Sequence, residues 1–73
     1  MAKLKISARN AIEGTVKRIT PGAVNTEVVV EVGNGFEIVS IITKESAEGM
    51  DLSVGKTVYA VIKASDVMIG TQD

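Results

Sequence analysis

β-Branched residues dominate this chain: 11 Val, 8 Ile and 6 Thr account for 25 of its 73 residues. Two heavy atoms on Cβ suit a pleated, half-buried surface better than a helix, so strands must supply most of the fold. Turn signals separate the apolar runs. Pro21-Gly22 joins a fixed φ to a residue able to take φ > 0. Gly33-Asn34-Gly35 is the strongest hairpin signal in the chain. Together these patterns predict strands over 4–7, 11–20, 24–32, 36–42 and 57–63, with a last short one over 67–69. In the 36–42 segment Phe36, Ile38, Ser40 and Ile42 share one face, and Glu37, Val39, Ile41 and Thr43 the other. Residues 43–49 predict one or two helical turns, with Thr43 as N-cap, acidic residues in the first turn and Gly49 at the C-terminal cap. Short strands around one short helix suggest an all-β fold. The expected architecture is a small OB-like five-stranded barrel with one short helix, in a single domain spanning 1–73.

Such a barrel is short of core. A chain of this length buries only about 60% of the surface it exposes when unfolded. Small scaffolds compensate with disulfides, a metal or association. Cys and His are both absent, which removes disulfides and the usual zinc sites. Association remains. Val28-Val29-Val30 and the run 58–62 carry apolar side chains on both strand faces, so one face lines the barrel and the other meets a neighbour. A homo-oligomer is the expectation.

The same composition narrows the function. The formal net charge is −1 and only Phe36 and Tyr59 are aromatic, which argues against a nucleic-acid partner. The longest apolar run has five residues, far short of a membrane span, and the N-terminus carries no signal-peptide pattern. A cytoplasmic location is therefore expected. Acid–base or nucleophilic catalysis lacks His and Cys, and Asp66 reads as a turn residue. Gly55-Lys56-Thr57 resembles the end of a phosphate-binding loop, but Met50 stands where that loop requires its first glycine. The chain does not read as an enzyme.

Two polar islands interrupt the apolar pattern: Ser7-Ala8-Arg9-Asn10 and Lys63-Ala64-Ser65-Asp66. Each joins a cation to a small hydroxyl residue. A doubly charged tetrahedral oxyanion only accepts hydrogen bonds, so its pocket presents donors: a forked guanidinium, an ammonium, hydroxyls and backbone N–H groups. Thr43 and Ser46, three residues apart at the helix start, could add two hydroxyls on one face. Each residue also has a plainer reading. Thr43 can simply cap its helix, Ser46 can face water, Arg9 can pair with Glu13, and Lys63 can wet a strand end. Composition alone leaves both open.

Four segments carry a more specific signal: Ser7-Ala8-Arg9-Asn10, Gly22-Ala23-Val24-Asn25, Ile41-Ile42-Thr43 with Ser46, and the run from Tyr59 to Met68. In this order they resemble the molbindins, the Mop/TOBE-type small molybdate- and tungstate-binding proteins. The resemblance covers all but 1–5 and 70–73. It implies an OB-like barrel assembled as a hexamer, a trimer of dimers, which binds molybdate or tungstate between subunits for intracellular molybdenum storage and homeostasis. By that resemblance Ser7, Ala8 and Arg9 of one chain face Thr43, Ser46, Lys63, Ala64 and Ser65 of a neighbour. Gly22, Ala23, Val24 and Asn25 would line a second class of site near the threefold axis, though Pro21-Gly22 makes a good turn whether or not anything binds there. No catalytic residue, bare metal cation or further cofactor is implied. The rival readings are an OB-type nucleic-acid-binding protein and a ligand-free protein-interaction barrel.

Overall fold

A computed structural model of the chain describes residues 6–72. Four strands form one antiparallel sheet: β1 (Asn10–Pro21), β2 (Asn25–Gly33), β3 (Phe36–Thr43) and β4 (Thr57–Ile62), in the spatial order β3-β2-β1-β4. A six-residue helix, α1 (Lys44–Gly49), follows β3, and a 3₁₀ turn, Ala64–Asp66, follows β4. The sheet curls into a half-barrel. This corrects the expectation of a five-stranded barrel. Of the strand expected over 4–7, Leu4 and Lys5 lie outside the described residues, and Ile6 and Ser7 are not in a strand. Residues 67–69 join no ladder, although Val67 is extended. Among the described residues β3 therefore pairs only with β2, and β4 only with β1.

The concave face holds the core, in which Val16, Val28 and Val30 are buried and Ile19, Val32, Ile42, Leu52 and Val58 pack against them. Fully burying such a side chain contributes about 1.5–3 kcal/mol. A cluster this small offsets the ordering entropy of only a few residues. In β3 and β4 burial alternates residue by residue, as a sheet with one covered face requires.

A β-bulge in β1 puts the correct residues in that core. Val16 lies opposite Val30, yet Arg18 lies opposite Val29, so Lys17 is an extra residue with no partner of its own in the ladder. Strict pairing would instead set Arg18 against Val28. The shift brings Ile19 there and turns Arg18 outward. On the outer face Lys17 Nζ donates to Glu37 Oε2 at 2.6 Å, bridging β1 to β3 across β2.

Local chemistry accounts for the connections. Asn34 and Gly35 have φ of 52° and 79°, the two positive values that a type I′ hairpin needs. Thr43 caps α1 as expected, its Oγ1 accepting from the Ser46 backbone N–H at 3.0 Å. The other end differs. Gly49 is the last helical residue, and the left-handed position falls on Asp51, with φ of 53°. Asp51 N–H donates to Glu48 O and Leu52 N–H to Ala47 O, the paired bonds of a Schellman ending. Lys56 Nζ donates to Met50 O at 2.6 Å and Asp51 O at 3.2 Å, a cation at the negative end of the helix.

Candidate oxyanion site

The antiparallel pairing of β1 with β4 sets Asn10 opposite Ile62. Residues just before Asn10 and just after Ile62 must then leave the sheet at the same end. They do. Ser7, Ala8, Arg9, Lys63, Ala64 and Ser65 line one open cleft of about 500 Å³. Two cations and two hydroxyls meet there, with small Ala8 and Ala64 leaving the backbone accessible. Among the described residues no carboxylate lines the cleft.

Among the described residues the Arg9 and Lys63 side chains have no ion-pair or hydrogen-bond partner, so the Arg9–Glu13 pairing considered from the sequence does not form. The backbone of the second island is turned to shape. Asp66 N–H donates to Lys63 O at 2.9 Å and Val67 N–H to Ala64 O at 3.3 Å, which folds residues 63–67 tightly at the cleft edge.

The other expected residues lie elsewhere. Thr43 and Ser46 sit at the junction of β3 and α1, and β3 and β4 are the opposite outer strands of the sheet. Within one chain Lys63, Ala64 and Ser65 share a cleft with Ser7, Ala8 and Arg9. Thr43 Oγ1 also donates to Ser46 Oγ at 2.8 Å, so within one chain its hydroxyl is occupied by capping.

Gly22, Ala23, Val24 and Asn25 form the β1–β2 connection, closed by Gly22 N–H donating to Asn25 O at 2.7 Å. Asn25 pairs with Thr43, and Lys44 N–H donates to Val24 O at 2.8 Å. The fold therefore gathers this loop with the helix start, as a second polar group apart from the cleft. Sequence reasoning passed over Lys44, an exposed cation in this group, whose position directly after Thr43 was the available signal.

The TOBE domain model matches residues 6–69, nearly the whole chain. A probable molybdenum-pterin-binding protein of Haemophilus influenzae is 41% identical over 69 residues, 94% of this chain and 100% of that one. The chain belongs to the Mop-type TOBE-domain family. Solved structures agree with this Mop fold. MopII of Clostridium pasteurianum superimposes with a TM-score of 0.87 at 42% identity, covering 92% of this chain and 100% of that one. The cytoplasmic molybdate-binding protein ModG, solved with molybdate bound, gives 0.89 at 46% identity, covering 94% of this chain and 49% of ModG. These Mop-type relatives are named for binding, not for a reaction.

Proposed function

We propose that this Mop domain binds molybdate reversibly, without redox chemistry, in the cleft between its two polar islands. The observation that carries the reading is the convergence of Arg9, Lys63, Ser7 and Ser65 on one cleft that no carboxylate lines among the described residues. A charge-assisted hydrogen bond contributes roughly 1.5–3 kcal/mol. Four or five of them, less ordering costs, correspond to a Kd of about 1 μM, near −8 kcal/mol. That suits a store which must also release its cargo.

Assembly completes the site in this reading. In a homo-oligomer, taken as a hexamer, Thr43 and Ser46 of a neighbouring copy face the cleft and add hydroxyls. The loop 22–25 forms a second, backbone-lined site. Tungstate, of the same charge and shape, binds alongside molybdate, and the protein acts in the cytoplasm as a molybdenum reserve. Relatives named for molybdate and for molybdenum-pterin both support molybdenum as the cargo.

Calorimetry with molybdate, tungstate, sulfate and a single-stranded oligonucleotide tests this. Heat with the first two and none with the oligonucleotide is expected. No heat with any of the four would leave an interaction barrel, and heat with the oligonucleotide alone would leave a nucleic-acid binder. Metal analysis after dialysis against molybdate, with the native mass, gives the number of anions per chain.

A further inference from the structure

We propose that the cleft between α1 and the far end of β1 binds a small primary alkylammonium ion, held by Glu48, Asp51 and the Thr26 hydroxyl. The proposal goes beyond the oxyanion reading and does not rest on it. The two clefts stand at opposite ends of β1, on the order of 35 Å apart along the strand. They also differ in sign. The oxyanion cleft presents Arg9 and Lys63, whereas here the carboxylates of Glu48 and Asp51 outnumber the one ammonium, that of Lys44.

The case begins with a hydroxyl that has no structural task. Thr26, Val28 and Val30 share the inward face of β2, and Thr26 is 2% exposed. A valine there would match its shape and suit a buried strand position better. Among the described residues the Thr26 side chain makes no hydrogen bond. No buried side-chain oxygen is sealed off without a partner among the described residues. The Thr26 hydroxyl therefore opens onto the cleft that this residue lines. A hydroxyl withdrawn from bulk water and left unpaired costs stability, so its presence calls for a partner from outside the chain.

The surroundings define that partner. Glu48 and Asp51 line the same cleft, of about 500 Å³, and neither forms an ion pair among the described residues. Lys44 stands four residues before Glu48, yet it pairs with neither carboxylate. Both carboxylates lie at the C-terminal end of α1, where the helix dipole favours a cation. Lys56 answers part of that need, but its ammonium is bonded to the Met50 and Asp51 carbonyls and not to the side chains. A primary ammonium carries three N–H donors and no acceptor. The cleft offers it three acceptor groups: two carboxylates and the hydroxyl. Pro21 and Leu52 add apolar wall for a short alkyl chain. A divalent metal fits worse, since it takes about six or more oxygen ligands and would stand beside Lys44.

Amide NMR shifts of the full chain, titrated with butylammonium chloride at neutral pH, test this. Shifts at Thr26, Ala47, Glu48 and Leu52 are expected, with a Kd of about 1 mM or tighter. Tetramethylammonium has the charge but no N–H donor, and should leave these amides unmoved. Equal shifts with it, or none with butylammonium at about 10 mM, would overturn the proposal. Acetyl-lysine methylamide presents the same ammonium as a lysine side chain of another protein does. Weaker binding of this compound than of butylammonium is expected, and tighter binding would overturn the assignment to a free amine. Glu48→Gln and Asp51→Asn should each weaken butylammonium binding by about 10-fold. Asn tolerates the left-handed φ of residue 51, so that variant keeps the helix ending. Thr26→Val separates a ligand-binding hydroxyl from a structural one. Its ligand-free melting temperature should stay level or rise while binding weakens by about 2- to 12-fold. A fall in that temperature, or full affinity in all three variants, would overturn the site. Calorimetry with molybdate keeps the oxyanion reading separate, since failure of either ligand to bind leaves the other result standing.

Discussion

Asn10 stands directly opposite Ile62 in the β1–β4 ladder. That one pairing converts two polar segments more than fifty residues apart into neighbours, and it requires no contact between the segments themselves. Sliding the register by two residues would move one island along the strand by about 7 Å and pull the cations apart.

The cleft makes the first prediction. Arg9→Ala and Lys63→Ala should each weaken molybdate binding by about 10- to 150-fold, the loss of one charge-assisted hydrogen bond. Both side chains are exposed, so the ligand-free melting temperature should move by less than about 4 °C. Full affinity in both variants would remove the cleft as the binding site.

The helix start separates two roles. Thr43→Ala deletes the cap on Ser46 N–H and should cost about 1 kcal/mol, a fall of roughly 4–8 °C in melting temperature. Ser46→Ala keeps that backbone donor and should hardly change stability. If a neighbour's Ser46 faces the cleft, the same substitution weakens molybdate binding by about 2- to 12-fold. Calorimetry beside thermal melts reads both.

Gly14 is a packing requirement. A Cβ there would lie 2.6 Å from Glu31 O and 2.6 Å from Val30 Cγ1. The first is backbone and cannot rotate away. Gly14→Ala should destabilise the fold by about 1–3 kcal/mol, measured by chemical denaturation.

Lys17 and Glu37 give a pH signature. The hydrogen bond to Glu37 raises the Lys17 pKa above 10.5, and the same bond lowers that of Glu37 below 4.5. The lowered carboxyl contributes stability above its unfolded value that is lost as pH falls through its folded one. The raised ammonium contributes below its unfolded value and loses this as pH rises through its folded one. Both side chains reach solvent, so salt should weaken the pair. Melting temperatures of the parent protein and Glu37→Gln should differ slightly at neutral pH and converge in acid and at high salt.

Much of this architecture is written locally. The alternation in residues 36–42 gives the faces of β3, and Gly33-Asn34-Gly35 gives its hairpin, because both depend on neighbours in sequence. Lys17-Arg18 between Val16 and Ile19 already marks a break in strand phase, since strict alternation would turn Arg18 inward. The helix ending was harder. Gly49 has the right chemistry for a left-handed cap, but the helix includes it, and Asp51, two residues on, takes that conformation so that Leu52 can bond back to Ala47. Barrel closure was not legible at all. Whether residues 67–69 become a wall depends on what lies against them, which no local pattern encodes. For the cleft the contrast is similar: each island is visible alone, but their meeting requires the β1–β4 register.

Lys17 carries a further consequence. As the surplus residue of its bulge, it could be excised and Ile19 would still oppose Val28, with Arg18 still opposite Val29. What would vanish is the extra local coiling that such an insertion imparts. A chain shortened by that one lysine would keep every facing pair yet flatten, spreading its two outer strands and widening the mouth between β3 and β4.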